Sequence, residues 1–241
     1  MTPLPPHEVH LWLAATDGEA LSHLADAWAL LDGAERARAD RFLVEHARTE
    51  YILSHALVRT VLSEHTGVDP RDFVFRSAAH GKPSIEAPAE HGLVRFNLSH
   101  SRGVAACAVA LGREVGVDVE QKGARVEIED LARTVFSESG QRAFAAVPAA
   151  RKKDWFFAKW TLKEALVKAR GDGLSLDVQR IRADLREDCT PSFMALDGVD
   201  VSPTWHIHPF QPTPDHAAAL VVEVRPDGAP SIVEHRLPPL R

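Results

Sequence analysis

Cysteine is scarce: the 241 residues contain two, Cys107 in the apolar run at 104–109 and Cys189 in a polar stretch. Two such residues make neither a disulfide framework nor a zinc-ligand pattern, and the expected setting is the reducing cytoplasm. Long apolar runs are missing as well. No stretch approaches the roughly 18 apolar residues of a membrane span. Residues 1–8 show neither the basic nor the apolar region of a secretory signal, so the sequence predicts no membrane association. Nor is positive charge in excess: 28 Lys and Arg against 34 Asp and Glu leave a formal net charge of −6. That sign is wrong for a phosphate-backbone binder, which excludes nucleic acid as the expected partner.

What is present is ordinary globular composition, 45% hydrophobic and 26% charged, in a length that fits one large domain or two halves. The pattern changes along the chain. Val9, Leu11 and Leu13 alternate as in a short strand. Leu21, Leu24, Trp28 and Leu31 recur at helical spacing before Gly33, a second helix starts near Ala34, and residues 45–64 place Ile52, Ala56, Leu57 and Val61 on one face of a long helix. Short β-rich runs follow at 73–75, 94–96, 104–111 and 115–119. Helical periodicity returns at 128–136, 141–147 and 150–169, and strands are expected again at 193–196, 205–208 and 217–224. The Pro-rich segments 203–214 and 226–239 read as loops and a tail. Helices followed by strands thus occur twice, which predicts an α+β fold of two similar halves, 1–115 and 116–241. A weak echo between the His100 and His216 segments, each a His before a small-residue strand, points the same way.

Three segments could carry chemistry. In Gly116-Val-Asp-Val-Glu120, strand alternation puts Asp118 and Glu120 on one face about 7 Å apart. Two carboxylates so placed resist desolvation unless a divalent cation compensates them, a solvated strand face being the competing explanation. In Trp160-Thr-Leu-Lys-Glu164-Ala-Leu-Val-Lys168, Trp160, Glu164 and Lys168 share a helical stripe. That stripe is equally compatible with a surface i,i+4 pair beside a core tryptophan. Phe96-Asn-Leu-Ser-His-Ser101, after Gly81-Lys82-Pro83, gathers donors and a turn-fixed cation suited to an anion, or else a self-capping loop.

The four motifs together, in this order and spacing, resemble the Sfp-type 4′-phosphopantetheinyl transferases over residues 35–175. The resemblance implies the pseudo-twofold fold of that family, with the active site in the cleft between the halves. It also implies a magnesium-dependent transfer of the 4′-phosphopantetheine group of coenzyme A to a serine of an apo acyl or peptidyl carrier protein. Adenosine 3′,5′-bisphosphate would be released, and a chain carrying both halves would act as a monomer. Carried over by position, Asp118, Glu120 and Glu164 are the expected magnesium ligands. Glu164, or a water that it positions, would take the serine proton, and Lys168 would face the pyrophosphate. Arg38, Lys82, Asn97, Ser99 and His100 are expected to meet the nucleotide phosphates. At Glu35 the sequence departs from the family's additional basic residue, whereas Lys168-Ala-Arg-Gly171-Asp-Gly173-Leu174 keeps the glycines of its turn. Two other readings stay open on the same residues: a magnesium-dependent phosphohydrolase, and a non-catalytic homologue that binds coenzyme A or a carrier domain.

Overall fold

The computed structural model describes residues 2–77, 81–123, 127–171, 173, 177–185, 191–195 and 204–237. The first series of elements is β1 (Glu8–Ala15), α1 (Leu24–Leu30), α2 (Gly33–Ala39), α3 (Glu45–Thr66), β2 (Val74–Ser77), β3 (Pro83–Ala87), β4 (Val94–Ser101) and β5 (Val104–Leu111). The second repeats the same order: β6 (Val115–Gln121), α4 (Ile128–Val135), α5 (Glu138–Ala145), α6 (Ala149–Arg170), β7 (Ile181–Leu185), β8 (Pro191–Ala195), β9 (Trp205–Phe210) and β10 (His216–Glu223). A last strand, β11 (Ser231–Arg236), follows.

Pairing repeats along with the order. β1 lies antiparallel to β5 and β5 to β4, as β6 lies antiparallel to β10 and β10 to β9. β2–β3 and β7–β8 form two-stranded hairpins in corresponding places. The strands β5 and β10, which carry the faint sequence echo, are counterparts. The fold is therefore α+β with small, mainly antiparallel sheets, as the sequence predicts.

Alternation then sorts side chains into layers. Val9, Leu11 and Leu13 of β1 and the even residues of β5 face Val115, Val117 and Val119 of β6 and Ala218, Leu220 and Val222 of β10, and together they fill the space between the sheets. The opposite face of the first sheet, with Trp12, Phe96, Ala105, Cys107 and Val109, packs on Leu57, Val58, Val61 and Leu62 of α3. The opposite face of the second, with Ala219 and Val221, packs on Leu162, Ala165, Leu166 and Ala169 of α6. The order is helix, sheet, sheet, helix. Cys107 is buried inside this stack, where burial pushes its thiol pKa up and keeps it inert.

β11 corrects the reading of residues 226–239 as loop and tail. It joins the first sheet as a parallel neighbour of β1 in the register Trp12↔His235. Its alternation is too polar to signal a strand, because what holds it is specific rather than apolar. The His235 ring stacks on Trp12 at 4.0 Å and shares a 2.8 Å hydrogen bond with His10, while His65 of α3 accepts from the Trp12 indole at 3.1 Å. Segment 203–214 likewise holds β9. Cys189, Leu174 and Leu196 lie outside the described residues. Among the described residues, no helix is long and apolar enough to cross a membrane.

Candidate active site

β6 is an edge strand of its sheet, and an edge leaves backbone N–H groups without partners. They are met by side chains of β4. On β4, residues 94, 96 and 98 turn toward α3, so Asn97, Ser99 and Ser101 turn the other way, toward β6. The Val117 N–H donates to the Asn97 side-chain oxygen at 2.9 Å, Val119 N–H to Ser99 Oγ at 3.2 Å, and Gln121 N–H to Ser101 Oγ at 3.0 Å. Three small polar residues at period two satisfy three N–H groups at period two.

With Val117 and Val119 in the core, Gly116, Asp118 and Glu120 face α6. A Cβ at Gly116 would collide with the Ala165 carbonyl oxygen and the Ala169 nitrogen, so only glycine permits this approach of strand to helix. The helix runs antiparallel to β6, which sets the stripe Trp160, Glu164, Lys168 against Glu120 and Asp118. The Trp160 indole N–H donates to Glu120 Oε1 at 3.3 Å, and Lys168 Nζ donates to Asp118 Oδ1 at 2.7 Å. Ser99 Oγ donates to that same Asp118 oxygen at 3.1 Å and accepts from Lys168 at 2.9 Å.

Three carboxylates here face one ammonium, and the imbalance shows in each of them. Asp118 is 3% exposed, and its Oδ2 is buried without a hydrogen-bond partner. Burial, then the Asp118 charge, raises the pKa of Glu120; burial, then the Asp118 charge, also raises that of Glu164, with Lys168 pulling back on both. A buried acceptor left open beside carboxyls that resist ionisation is a donor set suited to a hard divalent cation. Among the described residues, no three such side chains stand ready-made as ligands, and Lys168 occupies one oxygen of Asp118. The chemistry of this donor set, with the open Asp118 oxygen, fits a hard divalent cation.

The residues expected at the nucleotide phosphates are placed differently from one another. Asn97 and Ser99 are 5% and 6% exposed and spend their polar atoms on β6 and Asp118, so they build the site's wall. The Lys82 ammonium, buried in the Gly81–Pro83 turn, donates to Glu114 Oε2 at 2.6 Å and to the carbonyls of Ala169 at 2.6 Å and Val115 at 3.1 Å. It ties the turn to the start of β6 and the end of α6 and is saturated there. In this structure the polar atoms of Lys82, Asn97 and Ser99 are engaged within the protein. His100 and Arg38 do reach solvent. The His100 ring is a third exposed, with Nδ1 3.5 Å from Glu50 Oε2, and the exposed Arg38 lies over the Tyr51 ring at 5.7 Å.

Glu35, where the family resemblance lapses, has its own task. Its side chain and that of Asp32 form a capping box at the start of α2, and both carboxylates receive the fully buried Arg59 of α3 at 2.8 Å. Arg59 also donates to the Pro70 and Phe73 carbonyls, and His55 lies 3.0 Å from the second Glu35 oxygen. Burial favours the neutral form of Glu35, yet His55, the Asp32 N–H and Arg59 together hold its pKa below the usual range. A basic residue at position 35 would put like charge against Arg59. Ser101, which donates to Glu120 Oε2 at 3.4 Å, and Glu114 are site-building residues that the sequence reading missed; the period-two spacing of Asn97, Ser99 and Ser101 was the available signal.

Comparison with known proteins bears on both parts of the chain. The family described as the 4′-phosphopantetheinyl transferase superfamily matches residues 114–221, and a second, described as 4′-phosphopantetheinyl transferase, N-terminal, matches residues 19–111. The 4′-phosphopantetheinyl transferase HetI of Nostoc sp. is 34% identical, with 91% of this chain and 92% of its own length aligned. A phosphopantetheinyl transferase of Thraustochytrium sp. is 30% identical over 97% of this chain and 86% of its own. The 4′-phosphopantetheinyl transferase Sfp of Bacillus subtilis is 30% identical over 64% and 66%. With β6 and α6 carrying the acidic site inside the first matched segment, this chain belongs to the 4′-phosphopantetheinyl transferase superfamily.

Proposed function

We propose that this enzyme transfers the 4′-phosphopantetheine group of coenzyme A to a serine of an apo acyl or peptidyl carrier domain, releasing adenosine 3′,5′-bisphosphate. The supporting observation is the cluster of Asp118, Glu120, Glu164 and Lys168 on β6 and α6, with an open buried oxygen on Asp118. In this reading the serine oxygen attacks the phosphorus that bears pantetheine, and the bond from that phosphorus to the bridging oxygen breaks. The serine proton goes to a base, assigned here to Glu164 or to a water that it positions; burial and the Asp118 charge raise the Glu164 pKa, which supports that reading. Lys168 leaves Asp118 for the pyrophosphate and stabilises the departing charge.

Asp118, Glu120 and Glu164 would hold magnesium, which supplies neutralisation of the pyrophosphate charge. Asn97, Ser99, Ser101 and Trp160 keep those carboxylates in place, and Lys82 fixes the turn at the end of α6. Arg38 and His100, both reaching solvent, are assigned to the nucleotide phosphates. We further propose that the halves 1–115 and 116–241 bound the site, and that the chain acts as a monomer in the cytoplasm.

Intact-protein mass spectrometry of an apo carrier domain incubated with this protein, coenzyme A and magnesium tests the proposal. A gain of one phosphopantetheine group is expected, lost on replacing the acceptor serine by Ala, abolished by EDTA and restored by magnesium. No gain on acyl or peptidyl carriers despite coenzyme A binding would overturn it, and activity insensitive to chelation would overturn the metal assignment.

A further inference from the structure

His100 sits on β4 with the parity of Phe96 and Leu98, so it faces α3 rather than the carboxylates. There it meets Glu50, in the second turn of α3. The Glu50 side chain is 14% exposed, and its two oxygens are divided between two targets. Oε1 accepts from the Gly103 N–H at 3.2 Å, and Oε2 faces His100 Nδ1 at 3.5 Å. That Nδ1 is buried and makes no hydrogen bond of good geometry, so the contact is a close approach rather than a directed bond. With Nδ1 turned toward Glu50, the other ring nitrogen, Nε2, is the one left for a ligand.

We propose that Glu50 is a positioning residue for substrate: anchored by Gly103, it orients the His100 ring, so that the outer nitrogen of the ring receives a phosphate of the nucleotide. This inference rests on the assignment of His100 to the nucleotide phosphates. Burial alone would raise the Glu50 pKa, but His100, the Gly103 N–H and His46 together lower it, so the carboxylate is ionised at neutral pH. The same Glu50 side chain fixes the turn between β4 and β5 through Gly103, whose Cα lies so close to the Asp17 carboxylate that a Cβ would collide with it. The ring is therefore held from behind by side chain and from beside by backbone.

The test is steady-state kinetics of E50Q, H100A and the double variant with coenzyme A and a carrier domain. The amide keeps an acceptor for Gly103 and removes the charge, so E50Q folds with an unchanged Tm. The expected result is a KM for coenzyme A raised about tenfold in E50Q, with kcat changed far less, and a similar rise in H100A. The double variant should be no worse than H100A, because Glu50 acts through the ring. A raised KM in H100A with a normal KM in E50Q, or additive effects in the double variant, would overturn the inference while leaving the phosphate role of His100 standing. A normal KM in H100A would remove that role and the inference with it.

Discussion

Two clusters of buried charge lie beside the two 22-residue helices, and they are built on opposite terms. Beside α3, Arg59 is fully buried, and its guanidinium is answered by Asp32, Glu35 and two carbonyls. Beside α6, three carboxylates share one lysine, one oxygen is left open, and two of the carboxyls are pushed toward their neutral forms. Buried charge with all partners present holds a fold together, whereas buried charge with partners missing waits for a ligand. Polarity alone does not tell the two apart; completeness does.

Breaking each cluster should therefore give opposite results. Glu164→Gln is expected to cost about 10²–10⁴-fold in transfer rate, the usual worth of a general base. It should leave Tm unchanged or higher, since one of several like charges is gone. A rate assay at saturating coenzyme A with a parallel melt checks it; a large fall in Tm would place Glu164 among the structural residues. Arg59→Met should do the reverse. Leaving the buried Glu35 without its cation costs about 3–5 kcal/mol of stability, while the rate per folded molecule stays within about twofold of the parent. Denaturant titration and activity of the folded fraction measure the two numbers.

Much of this was legible in the sequence, and the exceptions share a cause. Strands β5 and β6 and helices α3 and α6 announce themselves because each buries an apolar face, so periodicity and packing agree. The acids and the helix stripe were legible from period two and period four, which place them on one face each. The first-sheet role of β11 was not, because a strand held by His10, Trp12 and His235 leaves no apolar alternation to read. Nor were the internal partners of Lys82, Asn97 and Ser99: residue type says that a group can bind an anion, but only the fold shows which carbonyl or strand edge it also holds.

The smallest effect sharpens the comparison through pH. Burial lowers the pKa of His10, His65 and His235, so below about pH 6.5 the unfolded chain binds more protons than the folded one. Their contribution to stability is present above that pH and is lost as pH falls. For Glu120 and Glu164 the folded pKa is raised, so the folded state is the better proton binder and their burden grows as pH rises through it. Melts between pH 5 and 8 should show Tm falling on the acid side, with His235→Asn flattening that slope and Glu164→Gln, which removes a group that opposes it, making it no shallower. An acid slope unchanged by His235→Asn would move the effect elsewhere.

The small polar side chains of β4 have one more consequence, for alignment. Two strands joined by backbone ladders can slide by two residues and find equivalent partners; strands joined by Asn97, Ser99 and Ser101 cannot, because Asn97 is longer than the two serines and the positions beyond them, Arg95 and Gly103, offer no short acceptor. They act as the wards of a key. A slip by one residue would turn Val117 and Val119 toward α6 and drive Asp118 into the apolar layer, so the stagger that hides the valines is also the one that delivers the carboxylates.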